Sequence, residues 1–185
     1  IMESSHRGKE YDAVHQEAIA NVKHLLALDD AFEVLLMQGG ATGHFGLIPM
    51  NFLGAGQIAD YVIAGSWGKK AMQEAGTQGA TRIAWDGKAT NFTRVPEQAE
   101  LDLDPNAAYV HITSNETIQG VQFPTEPDTG DVPLVCDSSS DILSRPVDIE
   151  KYGLLYACAQ KNAGPAGVTI VIVRDDLLDR SPADL

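Results

Sequence analysis

The sequence predicts an α/β fold: a three-layer α/β/α sandwich built on a mostly parallel sheet. Three observations predict it. Short apolar runs bounded by Gly, Pro and polar clusters recur along the chain, as buried strands do. Between several of them lie stretches that read as helices, one of them carrying its apolar residues at three- and four-residue spacing. Strands alternating with helices call for parallel pairing through right-handed crossovers.

In chain order, residues 8–28 read as a helix, because Tyr11, Val14, Ala18, Val22, Leu25 and Leu26 share one helical face. Glu33 to Met37 is a short apolar strand. It runs into Gln38-Gly39-Gly40-Ala41-Thr42-Gly43, and a helix follows from His44 to Leu53. Asp60 to Ala64 is a strand leading through Gly65-Ser66-Trp67 into a helix that ends near Ala75. Thr81 to Trp85 is a strand closed by the turn signal Asp86-Gly87. Pro96 to Leu103 reads as a short helix, and Tyr109 to Thr113 as a strand ending in Ser114-Asn115-Glu116-Thr117. Three apolar runs close the chain: Leu134 to Cys136, Leu154 to Ala159, and Val168 to Val173, the last preceded by Gly164-Pro165-Ala166-Gly167.

Composition narrows the function. The 185 residues suit one domain, and 44% hydrophobic content is enough to build a core rather than a disordered chain. A net charge of −13 argues against nucleic acid as a partner. No run of 18 apolar residues suggests a membrane span, and no charged-then-apolar leader suggests secretion, so the expected location is cytoplasmic. Cys136 and Cys158 both lie in strand-like runs and read as buried, reduced thiols. The histidines are scattered without metal-ligand spacing, so no metal is expected.

Two strand ends present a charged side chain: Asp137 after the first closing run, Lys161 after the second. Ligands of open α/β sheets bind outside the carboxyl ends of the strands. A lysine that forms a Schiff base and an acid that pairs with a pyridinium nitrogen suggest pyridoxal phosphate. On spacing alone, each has a plainer reading: Lys161 as a solvated turn residue, Asp137 as a helix N-cap. Gly39 to Gly43 would let backbone amides approach a phosphate at a helix start, but no Gly-Lys-Ser/Thr follows and a lone Gly-rich turn is weak evidence. Trp67 at a strand-to-helix junction suits a core as well as a ring-stacking wall. Thr117 suits a helix entry, and Gln160 a solvated strand end.

The stretch CDSSSDILSRPVDIEKYGLLYACAQKNAGPAGV resembles the lysine region of the phosphoserine aminotransferase family. The resemblance extends to HITSNETIQGVQF (111–123), GSWGKKA (65–71), GGATGHFGLIPMNFL (39–53) and ESSHRGKEY (3–11), nearly the whole chain. It implies the fold type I architecture of pyridoxal-phosphate enzymes. It implies Lys161 as the Schiff-base lysine and Asp137 as the partner of the pyridine nitrogen. It further implies Ala41, Thr42 and Gln160 on the cofactor phosphate, Trp67 stacked on the ring, and Thr117 near the phenolic oxygen. Some members carry Arg at the position of Thr42. His6-Arg7 matches a family pair, with Arg7 gripping a substrate carboxylate or phosphate in a site shared across a homodimer. From composition alone, Arg7 is a solvated cation at a helix start.

The implied reaction belongs to serine biosynthesis: transfer of an amino group between glutamate and 3-phosphohydroxypyruvate, giving phosphoserine and 2-oxoglutarate. Family members are considerably longer, with a short N-terminal arm and a smaller C-terminal domain. Residues 1–185 therefore read as the large, cofactor-binding domain. The alternatives are another fold type I aminotransferase or desulfurase, or a cofactor-binding domain that is inactive by itself.

Overall fold

The structure, a computed structural model, describes residues 3–181. Residues 1–2 and 182–185, which bear on the reading of the chain as one domain of a longer protein, lie outside them. In chain order the elements are α1 (Lys9–Leu25), β1 (Phe32–Met37), α2 (Gly40–Phe52), β2 (Ile58–Ile63), α3 (Ser66–Ala75), β3 (Ala80–Asp86), β4 (Val110–Thr113), β5 (Asn115–Glu116), β6 (Val121–Gln122), β7 (Leu134–Asp137), β8 (Tyr152–Cys158) and β9 (Thr169–Arg174).

Seven strands form one sheet in the order β1-β9-β8-β7-β4-β2-β3. The pairs from β8 to β3 are all parallel. β9 alone runs the other way, antiparallel to both β8 and β1. Its reversal follows from its connection. Ala159 N–H donates to Val168 O at 2.9 Å, so the chain turns back at once. A parallel return would need a crossover of roughly a dozen residues or more. β5 and β6 form a separate two-stranded ladder that periodicity does not reveal.

Every residue of β7 and β8 is buried, as central strands covered on both faces must be. On one face, α2 and α3 lay Phe45, Ile48, Ala71 and Ala75 over Tyr61, Tyr109, Val135, Tyr156 and Val171. On the other, α1 contributes Val22 and its C-cap residue Leu26 follows, and irregular segments supply Leu101, Phe123, Ile142 and Ile149. Each large apolar side chain so buried contributes about 1.5–3 kcal/mol. The three layers are present, but the second outer layer is helical only at α1.

Two expected helices differ. The 96–103 segment holds only a single 3-10 turn, Gln98–Glu100. Leu101 and Leu103 both pack on the core at two-residue spacing, the period of extended chain rather than helix. The helix expected from His44 instead starts at Gly40, because Gly39 (φ 102°) and Gly40 (φ 61°) turn the chain sharply out of β1.

β2 leads through α3 to β3 on one side, and the chain then returns to place β4 on the other side of β2. The carboxyl ends of β2 and β4 thus part at a topological switch point, the usual place for a ligand in an open α/β sheet.

Candidate active site

A cavity opens beside that switch point, bounded by the carboxyl ends of β4, β7 and β8 and by the starts of α2 and α3. It gathers Ala41, Thr42, Trp67, Thr117, Asp137, Gln160 and Lys161, which are far apart in sequence. His6 and Arg7 are not among its walls. They are exposed in the turn that precedes α1.

Asp137 ends β7 and is only 4% exposed. Its Oδ1 accepts from Ser139 N at 2.9 Å and from Ser139 Oγ. This is an Asx-turn, and no regular helix follows for Asp137 to cap. Among the described residues, Oδ2 has no hydrogen-bond partner. Burial pushes the Asp137 carboxyl above its ordinary range, opposed by the two Ser139 bonds and by Lys161. A buried carboxylate with one oxygen unanswered fits a cationic N–H partner within the cavity.

Lys161 stands in the turn after β8, which is pinned by Asn162 Nδ2 donating to Ile142 O at 2.6 Å. Its Nζ donates to Thr117 Oγ1 at 2.9 Å and lies 5.5 Å from the centre of the Trp67 ring. The side chain is exposed at the cavity mouth rather than desolvated.

Two helices start at this cavity, and their termini differ. α2 has no side-chain cap, so the amides of its first turn, Gly40 to Thr42, point out of the helix without an intrahelical acceptor. Such amides and the helix dipole together favour an anion. At α3 the corresponding amides are taken: Glu116 accepts from Trp67 N and Gly68 N. Trp67 forms a flat wall between these termini. Its Nε1 and Thr113 Oγ1, both buried, have no partner among the described residues.

The donor set is therefore an open anion cradle at α2, an aromatic wall, a buried carboxylate and a primary amine. Sequence reading missed Ser139 and Glu116. Ser139 carried a signal in the Asp-x-Ser spacing of an Asx-turn. Glu116 carried none, because its partners lie some 50 positions earlier. Among the described residues, no three His, Cys, Asp or Glu side chains gather as a metal site, and no helix is long and apolar enough to cross a membrane.

The sequence matches the family model described as Aminotransferase class-V over residues 1–184. The chain belongs to the class-V aminotransferases. It is 55% identical to the phosphoserine aminotransferase of Niallia circulans over all of this chain and 51% of that protein. The structure superposes on the phosphoserine aminotransferase from Bacillus circulans subsp. alkalophilus with a TM-score of 0.96 at 55% identity, covering 100% of this chain and 51% of that one. It superposes on the pyridoxal-phosphate-bound phosphoserine aminotransferase from Trichomonas vaginalis with a TM-score of 0.89 at 39% identity, covering 97% and 50%. The chain spans about half the length of the curated relatives it matches. Its fold is the fold type I architecture of these class-V aminotransferases.

Proposed function

We propose that residues 1–185 are the cofactor-binding large domain of a phosphoserine aminotransferase. The enzyme would move an amino group between L-glutamate and 3-phosphohydroxypyruvate, with O-phospho-L-serine and 2-oxoglutarate as the other pair, in serine biosynthesis. The observation that carries this reading is the convergence of Lys161, Asp137 and the open N-terminus of α2 on one cavity. The choice of substrates rests on the similarity to the phosphoserine aminotransferases above.

The residues fit pyridoxal 5'-phosphate. The first-turn amides of α2 at Ala41 and Thr42, with the Gln160 amide, would hold the phosphate. Trp67 would cover one face of the ring, and Thr117 would meet the phenolic oxygen. Asp137 would answer a protonated pyridine nitrogen with Oδ2. When bound, the cofactor supplies an electron sink for the pair left on the substrate Cα. Lys161 Nζ would hold the cofactor covalently and carry the proton that leaves that Cα, a task suited to an amine. Asp137 would stay anionic, keeping the ring nitrogen protonated and the sink deep. Burial and the nearby Asp141 act against that charge, the Ser139 bonds and Lys161 favour it, and a cationic ring nitrogen would favour it further.

His6 and Arg7 would take a substrate carboxylate or phosphate in a site shared across a two-fold homodimer, which is consistent with their exposure outside this chain's own cavity. A cytoplasmic location accompanies this reading. The second reading, a cofactor-binding domain inactive by itself, draws support from the chain's half-length coverage of its relatives.

An absorbance titration with pyridoxal phosphate and a coupled phosphoserine assay, each on this chain and on the intact protein, test both. Turnover only in the intact protein supports the domain reading. Intact protein that binds the cofactor but transaminates only other substrates overturns the phosphoserine assignment.

A further inference from the structure

Glu116 is fully buried, yet it does not line the cavity. Both of its carboxylate oxygens serve the start of α3. Oε2 accepts from Trp67 N at 2.9 Å and Oε1 from Gly68 N at 2.7 Å. Two glycines make room for it. A Cβ on Gly65 would stand 2.6 Å from Glu116 Cδ, and one on Gly68 3.2 Å from Oε1. Gln119 adds a reciprocal pair: its Oε1 accepts from Ser66 N at 3.2 Å and its Nε2 donates to Ser66 Oγ at 2.8 Å. From the other side, Asn115 Nδ2 donates to Ser140 Oγ at 2.9 Å, and Ser140 Oγ donates to Asn115 O at 2.9 Å.

Segment 115–119 is thus clamped between α3 and the loop after β7. That segment carries Thr117, which receives the Lys161 amine. A carboxylate on a helix start is ordinarily a stabilising cap. This one is bonded to the backbone of the residue whose ring walls the cavity, and it neighbours the residue that meets the lysine. Burial and the nearby Asp137 act against its charge, while the two amides and Lys161 favour it.

We propose that Glu116 is a positioning residue: it sets the Trp67 ring and the Thr117 hydroxyl in register with each other without touching the cofactor. It also closes the α3 terminus to anions, so a phosphate in this cavity has only the α2 terminus to bind. That choice fixes which end of the ring faces Asp137. The inference rests on the pyridoxal-phosphate reading for its purpose, though not for its geometry.

The test uses the intact protein. Trp67 and Trp85 are the two tryptophans of residues 1–185, so Trp85→Phe, with any tryptophan outside these residues also replaced by Phe, leaves Trp67 as sole reporter. Glu116→Gln turns an amino group toward a backbone N–H. In the cofactor-free protein it should raise acrylamide quenching of Trp67 about twofold or more, with far-UV circular dichroism unchanged. In the Trp85-containing protein it should weaken pyridoxal phosphate binding about tenfold, and by less than about twofold once Trp67→Ala has removed the wall, since coupled residues are not additive. Gln119→Ala, which leaves the Glu116 charge in place, should show the same pattern more weakly and serves where Glu116→Gln folds poorly. Unchanged quenching in both variants overturns the proposal. So does an equal loss of affinity with and without the Trp67 ring, the mark of a purely structural residue. Should the unaltered protein fail to take up pyridoxal phosphate, the cofactor reading falls by itself, and the quenching result still decides the role of Glu116.

Discussion

Ser139 donates twice to one oxygen of Asp137: its N–H at 2.9 Å and its hydroxyl at 2.5 Å both reach Oδ1. The same hydroxyl accepts from Cys158 N at 3.0 Å. Its proton therefore points at Asp137, and the backbone of β8 is tied to the acid at the end of β7. One oxygen is immobilised by the protein, and the other has no hydrogen-bond partner among the described residues.

Ser139→Ala removes the hydroxyl but keeps the backbone donor, and it orphans the Cys158 amide. A hydrogen bond to a charged group contributes about 1.5–3 kcal/mol, so turnover of the intact enzyme should fall by roughly one to two orders of magnitude. The fold, read by circular dichroism, should persist. Steady-state kinetics within twofold of the unaltered enzyme would show that Asp137 is held by other contacts.

Asp137→Asn should act in opposite directions on stability and catalysis. Asn keeps an Oδ1 that can accept both Ser139 bonds, and it removes a buried, unanswered charge. The Asp137 carboxyl is raised in the folded state by desolvation. Its contribution to stability is therefore full below the ordinary value of 3.8 and is lost as pH rises through the folded value. The cofactor-free variant should be more stable than the parent at neutral pH, by about 1–2 kcal/mol, and the gap should close toward pH 3. Turnover should drop by roughly two to four orders of magnitude, equivalent to about 3–5 kcal/mol, because the ring nitrogen loses its anion. Urea melts at pH 7 and pH 3, beside single-turnover kinetics with glutamate, check both halves. Normal turnover would leave Asp137 a turn-forming residue only.

Two lysines approach the Trp67 ring: Lys161 at 5.5 Å and Lys70 at 5.9 Å from its centre. Lys161 lines the cavity and Lys70 does not. Borohydride reduction of the cofactor-loaded protein, followed by peptide mapping, should place the pyridoxyl group on Lys161. A label on Lys70 or Lys69 would reassign the site.

Gly153 tests the packing beneath the site. A Cβ there would stand 2.8 Å from Pro133 Cβ and 2.9 Å from Leu177 Cδ1. β8 is buried along its whole length and pairs with β7 and β9, so the backbone has little room to shift. Gly153→Ala should destabilise by about 1–3 kcal/mol through overpacking, seen as a lower urea midpoint with an unchanged slope. An unchanged midpoint would mean that Leu177 moves aside at no cost.

Much of this molecule is legible along the chain because its signals are local. The run Leu154 to Ala159 marks a buried strand by length and bounding residues alone. The Gly39 to Gly43 turn announces a helix start, and the motif around Lys161 carries the family resemblance. The error at 96–103 arose where Leu101 and Leu103 follow a two-residue period that a helical reading of a short polar segment overlooks. The reversal of β9 depends on how tightly 159–168 closes, which composition does not state.

The sequence by itself determined the α/β class, the runs that form buried strands and the residue types able to hold a cofactor, because hydrophobic period and turn chemistry act between near neighbours. Tertiary structure alone decided that Glu116 would reach the amides of Trp67 and Gly68, that Oδ2 of Asp137 would lack a partner among the described residues, and that the α2 terminus would stay open while the α3 terminus closed. Each of these depends on strand order and register, which bring side chains some 20 to 120 positions apart to the same sheet edge. No local preference along the chain encodes such distances.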